Sequence, residues 1–505
     1  MRSLAFLSGL LLAALAGVAP AHAQKSADTL RIVWYDQIPD VDPYYNQQRS
    51  GLVVAQQAWD TLVYRDPDSF IIKPLLATSW KYIDDTTLEL QLRHGVTFQD
   101  GSPFSADDVV YTVNTVLADK KVSVPSNFIW LAGATKVDDY TVRLKLKRVF
   151  PAALEYLAMV LPIWPEAYRE RVGAAAYARA PIGAGPYRIT RVDGASRIEM
   201  TRYDGYYAGS PKGRPAIRRL VIDEVTDSNT ALNQLLAGRA DWTWNFVADN
   251  FDNVARIPGL EATRAESMRI QYLNLDAAGR TGKDNPLTRR KVRQAIFYAI
   301  DREAIAKNLV QGGSRVPDAP CYATQFGCDA STAMRYHYDP ARARQLLAEA
   351  GYPHGFDTEL VTYALPQING AVQNYLRAVG INARISQLQV SAVIKRNLDG
   401  TSPMSLGSWG SYSINDVSAF LPFFFTGGGN DYARDPVLAK LIEAGGASVD
   451  PEIRRKNYAA AIQRIMAEAY FLPINTAVTT YAFSRQLNFK PYPDELPRFF
   501  LSSWK

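Results

Sequence analysis

Two cysteines and four histidines in 505 residues leave little material for soft-metal or imidazole chemistry. Three of the histidines, His94, His337 and His354, each sit in or beside an expected turn or strand end without metal-ligand spacing, so lone structural roles suffice. No apolar run after Ala19 approaches the ~20 residues of a membrane-spanning helix. Charge of one sign is also lacking, with 56 Lys+Arg against 50 Asp+Glu and a formal +6. Its only short basic clusters, Arg289-Arg290-Lys291 and Arg454-Arg455-Lys456, open amphipathic helices, where a solvated face explains them. A nucleic-acid partner is not implied.

Catalytic signatures fail in turn. Gly183-Ala184-Gly185 begins like a dinucleotide loop, but Arg188 stands at the third glycine position and a strand pattern follows. Gly282-Lys283 runs into Asp284, so no phosphate-binding loop exists, and there is neither a Gly-x-Ser-x-Gly elbow nor His-Glu-x-x-His. The pairs Asp84-Asp85, Asp107-Asp108 and Asp138-Asp139 fall in turns or at a helix start, where solvation and capping account for them. No enzyme and no cofactor are expected.

What the chain does have begins at its first residues. Arg2, an uncharged run from Ser3 to Ala19, Pro20 and the small-x-small triplet Ala21-His22-Ala23 form a secretory signal, 1–23, with cleavage before Gln24. No cysteine at that point offers a lipid anchor, and the processed chain carries 55 basic against 50 acidic residues, or +5. Cys321 and Cys328 are separated by six residues in a loop with Pro320 and Gly327, and an oxidising compartment favours a disulfide between them. A thiolate metal site lacks its second pair.

From Pro74 to Val116 a strand, a turn and a capped helix follow one another. Thr87–Arg93 alternates apolar and polar residues, Asp100-Gly101 is a tight-turn pair, and Ser105 precedes Asp108 at capping-box spacing before an apolar helical stripe. Asp339, Pro340 and Gly351 delimit a second helix as N-cap, first residue and terminator. The wording of Leu75–Val116 resembles the family of extracytoplasmic solute-binding proteins that serve peptide and nickel ABC importers. The same resemblance recurs in Pro181–Tyr187, Asn285–Arg302 and Tyr338–Tyr352, in family order.

That resemblance implies an α/β fold of the type II periplasmic binding protein kind, with two discontinuous mixed lobes hinged around a cleft and a smaller insert. Lobe I would comprise 24–67, 183–281 and 474–505, the insert 68–182, and the second binding lobe 282–473. It implies a monomeric periplasmic component of an ABC importer that captures a peptide or peptide-like solute and delivers it to the membrane permease.

Trp242 and Trp244 share one strand face, suited to core packing or to stacking a ligand. Met404–Asp416 is similar to a cleft segment where peptide-binding members carry a tryptophan and, three residues later, an aspartate for the peptide's α-amino group. Trp409 matches, but Tyr412 replaces the aspartate. The arginine of dipeptide-binding relatives has no counterpart in Val361–Gln367. An aromatic, amide and hydroxyl lining is therefore expected from Tyr35, Trp244, Asn245, Tyr363, Trp409, Gly410, Ser411, Tyr412 and Asp416. Alternatives that stay open are an opine-like conjugate, a glycoside or aromatic compound, a metal chelate or haem, and a secreted hydrolase.

Overall fold

A computed structural model describes residues 28–505 except positions 37, 39, 195, 226, 364 and 365. The expected leader at 1–23 lies outside the described residues. A mixed ten-stranded sheet runs through the molecule in the order Ile381–Gln387, Phe356–Thr362, Met404–Trp409, Leu260–Leu275, Phe471–Ser484, Trp242–Trp244, Thr29–Trp34, Arg219–Glu224, Arg197–Arg202, Tyr187–Asp193. Its two central strands are long, 16 and 14 residues, and pair antiparallel with each other. At ~3.3 Å per residue the longer one reaches roughly 50 Å.

These two strands belong to both halves of the molecule. Phe483 to Tyr481 pair with Trp242–Trp244 on the first-lobe side, whereas Ile270–Leu275 pair with Trp409–Met404 on the second. The chain thus passes between lobes inside continuous sheet. Side chains on the first-lobe side, such as Leu30, Ile32 and Trp59, share one hydrophobic core with Leu88, Leu90, Val109 and Val113 of the 68–182 region. A separate core around Leu273, Val292, Ile296, Leu406 and Ile462 fills the second lobe.

The inserted region holds its own antiparallel sheet, ordered Ala77–Asp84, Thr87–Leu92, Thr141–Leu146, Leu131–Asp138. Thr87–Leu92 has only Gln91 exposed, so the one-sided burial expected from its alternation is exceeded. It is an inner strand, and Lys81 and Arg143 from its neighbours cover Glu89. Helix Ala106–Ala118 follows with a complete capping box, in which Ser105 Oγ accepts from the Asp107 N–H and Asp108 accepts from the Ser105 N–H.

Helix Pro340–Glu349 is capped by Asp339, which accepts from the Arg342 N–H at 2.8 Å, and Gly351 follows it at φ +87°. Cys321 and Cys328 form the disulfide. One basic cluster is not what its charge suggests. Arg454, in the first turn of helix Pro451–Ala467, is 5 % exposed, because the loop bearing Asp416 covers it and both Asp416 oxygens bind its guanidinium at 2.7 and 2.9 Å.

Candidate functional site

Between Glu266 and Ile270 the ladder of the two long strands breaks register, so Ser267, Met268 and Arg269 stand opposite Ala477 alone. Such a bulge re-aims side chains. Arg269 leaves the ladder and lines a cavity of about 380 Å³, within the usual ~300–1,000 Å³ of small-molecule sites. The cavity lies between lobes, bounded by residues 45–49 of the first, 123–124 of the insert and 409–413 of the second.

Its electrostatics centre on Glu495, which adopts φ +59°, a conformation rare for residues with a side chain. One carboxylate oxygen, Oε2, meets Arg49 Nη2 at 2.6 Å and Arg269 Nη2 at 3.2 Å, while Thr479 Oγ1 donates to Oε1 at 3.2 Å. Burial raises the Glu495 carboxyl, but Arg269 and Arg49 outweigh it and hold the group below the ordinary carboxylate range. Glu495 is buried and absent from the lining, whereas both arginines are on it. Two guanidiniums with one shared carboxylate leave a positive wall.

Two buried side-chain donors beside this cavity lack an acceptor among the described residues. Gln47 lines the cavity at 5 % exposure; its Oε1 accepts from Asn127 at 2.8 Å, and its Nε2 has no acceptor among the described residues. Trp409 Nε1 is likewise buried without one.

Of the residues expected from sequence, Trp409, Gly410, Ser411 and Tyr412 come together on this cavity. A Cβ at Gly410 would stand 3.1 Å from Arg269 Nη2, so the missing side chain admits the guanidinium. Ser411, Tyr412 and Ser413 follow with φ +51°, +50° and +61°. Each left-handed residue costs about 1–3 kcal/mol. Contacts on both sides hold them there: Ser413 Oγ donates to Asp494 O at 2.8 Å, and the Asn415 N–H to Glu155 at 3.0 Å.

The other expected residues lie elsewhere. Trp244 is fully buried behind the wall, with rings of Trp34 at 5.7 Å and Trp242 at 5.4 Å, and its Nε1 donates to Asp36 at 2.8 Å. Tyr35 beside it is 38 % exposed, and its hydroxyl is raised by burial and by Asp36. Asn245 ends that strand at φ +52°, its N–H bound to Thr480 O. Tyr363 OH accepts from the Ser408 N–H at 3.1 Å, bracing the strand that carries Trp409. Asp416, 3 % exposed, is committed to Arg454, so it presents no free carboxylate to a ligand.

Beside the expected aromatic, amide and hydroxyl groups, the lining carries Arg49 and Arg269, with Glu495 buried behind them. The three come from a helix start, a strand bulge and a C-terminal loop, and no local pattern links positions so far apart. The lining contains no histidine. Among the described residues no three His, Cys, Asp or Glu side chains gather as a metal-ligand set, and no helix is long and apolar enough to cross a membrane.

Two lobes sharing crossing strands, with a donor-rich cavity where they meet, define a cleft-type binding protein. Residues 72–431 match the model of the bacterial extracellular solute-binding proteins, family 5 Middle, and the chain belongs to that family. It is a solute-binding protein. Among its relatives, the glutathione-binding protein GsiB of Salmonella paratyphi A is 29% identical over 370 residues, 69% of this chain and 67% of that protein. GsiB of Escherichia coli K12 is 25% identical over 517 residues, 95% of each. HbpA2 from Haemophilus parasuis superposes with a TM-score of 0.80 at 24% identity, over 94% of this chain and 100% of that one, which establishes the fold.

Proposed function

We propose that this protein captures a small anionic peptide or peptide-like solute in the interlobe cavity and hands it to the permease of an ABC importer. In this reading it works as a periplasmic monomer without its leader, and binding involves no turnover. One observation carries it: the cavity presents the cations of Arg49 and Arg269, which share the single buried carboxylate of Glu495, so an anionic guest is favoured. Peptide carboxylates supply that charge, and a volume of about 380 Å³ favours a few residues over a long chain. Glutathione, a tripeptide with two carboxylates, is the first compound to test. An opine-like conjugate shares the carboxylates, whereas a neutral glycoside lacks them.

Isothermal titration calorimetry with glutathione and a panel of di- and tripeptides decides the matter. Arg269→Gln should weaken the binding member of the panel by about 10–100-fold, the weight of a charge-assisted hydrogen bond. Unchanged affinity, or no binding by any anionic peptide, would overturn the proposal.

A further inference from the structure

A second cavity, also of about 380 Å³, opens between the insert and the second lobe. Tyr412 lines both cavities. Its left-handed backbone places it at their junction, where its ring meets Trp409 edge-on at 5.3 Å, and Trp409 in turn stacks on Phe423 at 4.3 Å. An aromatic wall therefore continues from the cationic cavity into the second one. The facing wall belongs to the insert: Trp130 stacks on Phe150 at 4.7 Å, and both rings meet Tyr156 edge-on.

Two large apolar side chains on this second chamber are left open, Ile129 at 60 % and Phe423 at 39 % exposure. They come from different lobes. Its charged residues, Arg148 and Glu443, are exposed and opposite in sign, so the chamber lacks the one-signed field of its neighbour. Aromatic surfaces of this kind favour flat apolar groups.

We infer that the ligand is two-ended: its acceptor-bearing end occupies the cavity of Arg49 and Arg269, and an aromatic or other flat apolar end passes Tyr412 into the chamber of Trp130, Phe150 and Phe423. This deepens the proposed function and rests on it. Tyr412 then acts as the divider that sets how far apart the two ends must be.

Glutathione and S-benzylglutathione, titrated into the same protein, test it because they differ only by an aromatic group. The benzyl derivative should bind about tenfold more tightly, the return for burying part of one ring. In Ile129→Asp, a change at an exposed position, and in Phe423→Ala, the ratio of the two affinities should fall toward one. Glutathione binding with no gain from the benzyl group overturns the inference and leaves the proposed function standing. A gain that survives both substitutions overturns the placement of the apolar end. Should neither compound bind, the same comparison is made with the member of the peptide panel that does bind and its aromatic-capped derivative, with the same outcomes; binding by no anionic peptide overturns both proposals.

Discussion

Asp42 is buried completely, its Oδ2 finds no hydrogen-bond donor among the described residues, and Arg169 Nε stands 4.0 Å away. Burial pushes this carboxyl up to about 7. A carboxyl that is a weaker acid in the folded protein than in the unfolded chain favours folding while protonated. Its contribution is full below about pH 4, near the unfolded value, and is lost as pH rises through 7. Asp42→Asn should therefore flatten the fall in stability across that window and exceed the parent at pH 8 by about 1–3 kcal/mol, read from urea unfolding at pH 5 and pH 8. An equal pH slope in both proteins would exclude Asp42 as its source. Such a residue is invisible in sequence, where Asp42 is one acidic residue of an irregular loop. Arg454 misleads for the same reason: its neighbours suggest a solvated cluster, and only the folded chain brings Asp416 to it.

Elements whose causes are local were the legible ones. The capping box at Ser105 and Asp108 and the helix bounded by Asp339 and Gly351 depend on side chains within a few residues of the backbone they satisfy, and both form as expected. Ser105→Ala should cost about 1 kcal/mol in chemical denaturation, since it removes one side of that box. A change under a few tenths would show that the Asp108 carboxylate caps this helix alone. The loop at 411–413 was legible only in part. Family wording located Trp409 to Tyr412, but three successive left-handed residues without a glycine have no local signature, because their conformation is imposed by Asp494, Arg65 and Glu155 from other segments. The bulge that turns Arg269 inward is likewise a property of two paired strands, which neither displays alone.

At the scale of the whole molecule, ligand capture depends on contacts that hold the lobes together as well as on those that touch the guest. A ligand shifts an open–closed equilibrium only by its preference for the closed form, so any interlobe contact sets how much of that preference is needed. Arg65 is such a contact. Its side chain is fully buried and binds Glu155 of the insert and Asp494 of the C-terminal segment, each at 2.8 Å, while Nη1 also donates to Ser413 O of the second lobe. Separating the lobes would break the Ser413 bond and the one from Asn415 to Glu155. Arg65→Met keeps the length of the side chain; Asp494 retains Arg498 at 2.6 Å, and Glu155, which loses its cation, is partly exposed and keeps the Asn415 N–H. None of the cavity-lining residues changes. Ligand affinity should nevertheless fall by about tenfold, the worth of one hydrogen bond from a charged donor. Small-angle scattering should show the ligand-saturated variant more expanded than the ligand-saturated parent, with the unliganded forms alike. Equal affinity and equal scattering would mean that closure is governed by the guest and the crossing strands alone, with Arg65 serving only the joint between the first lobe and the insert.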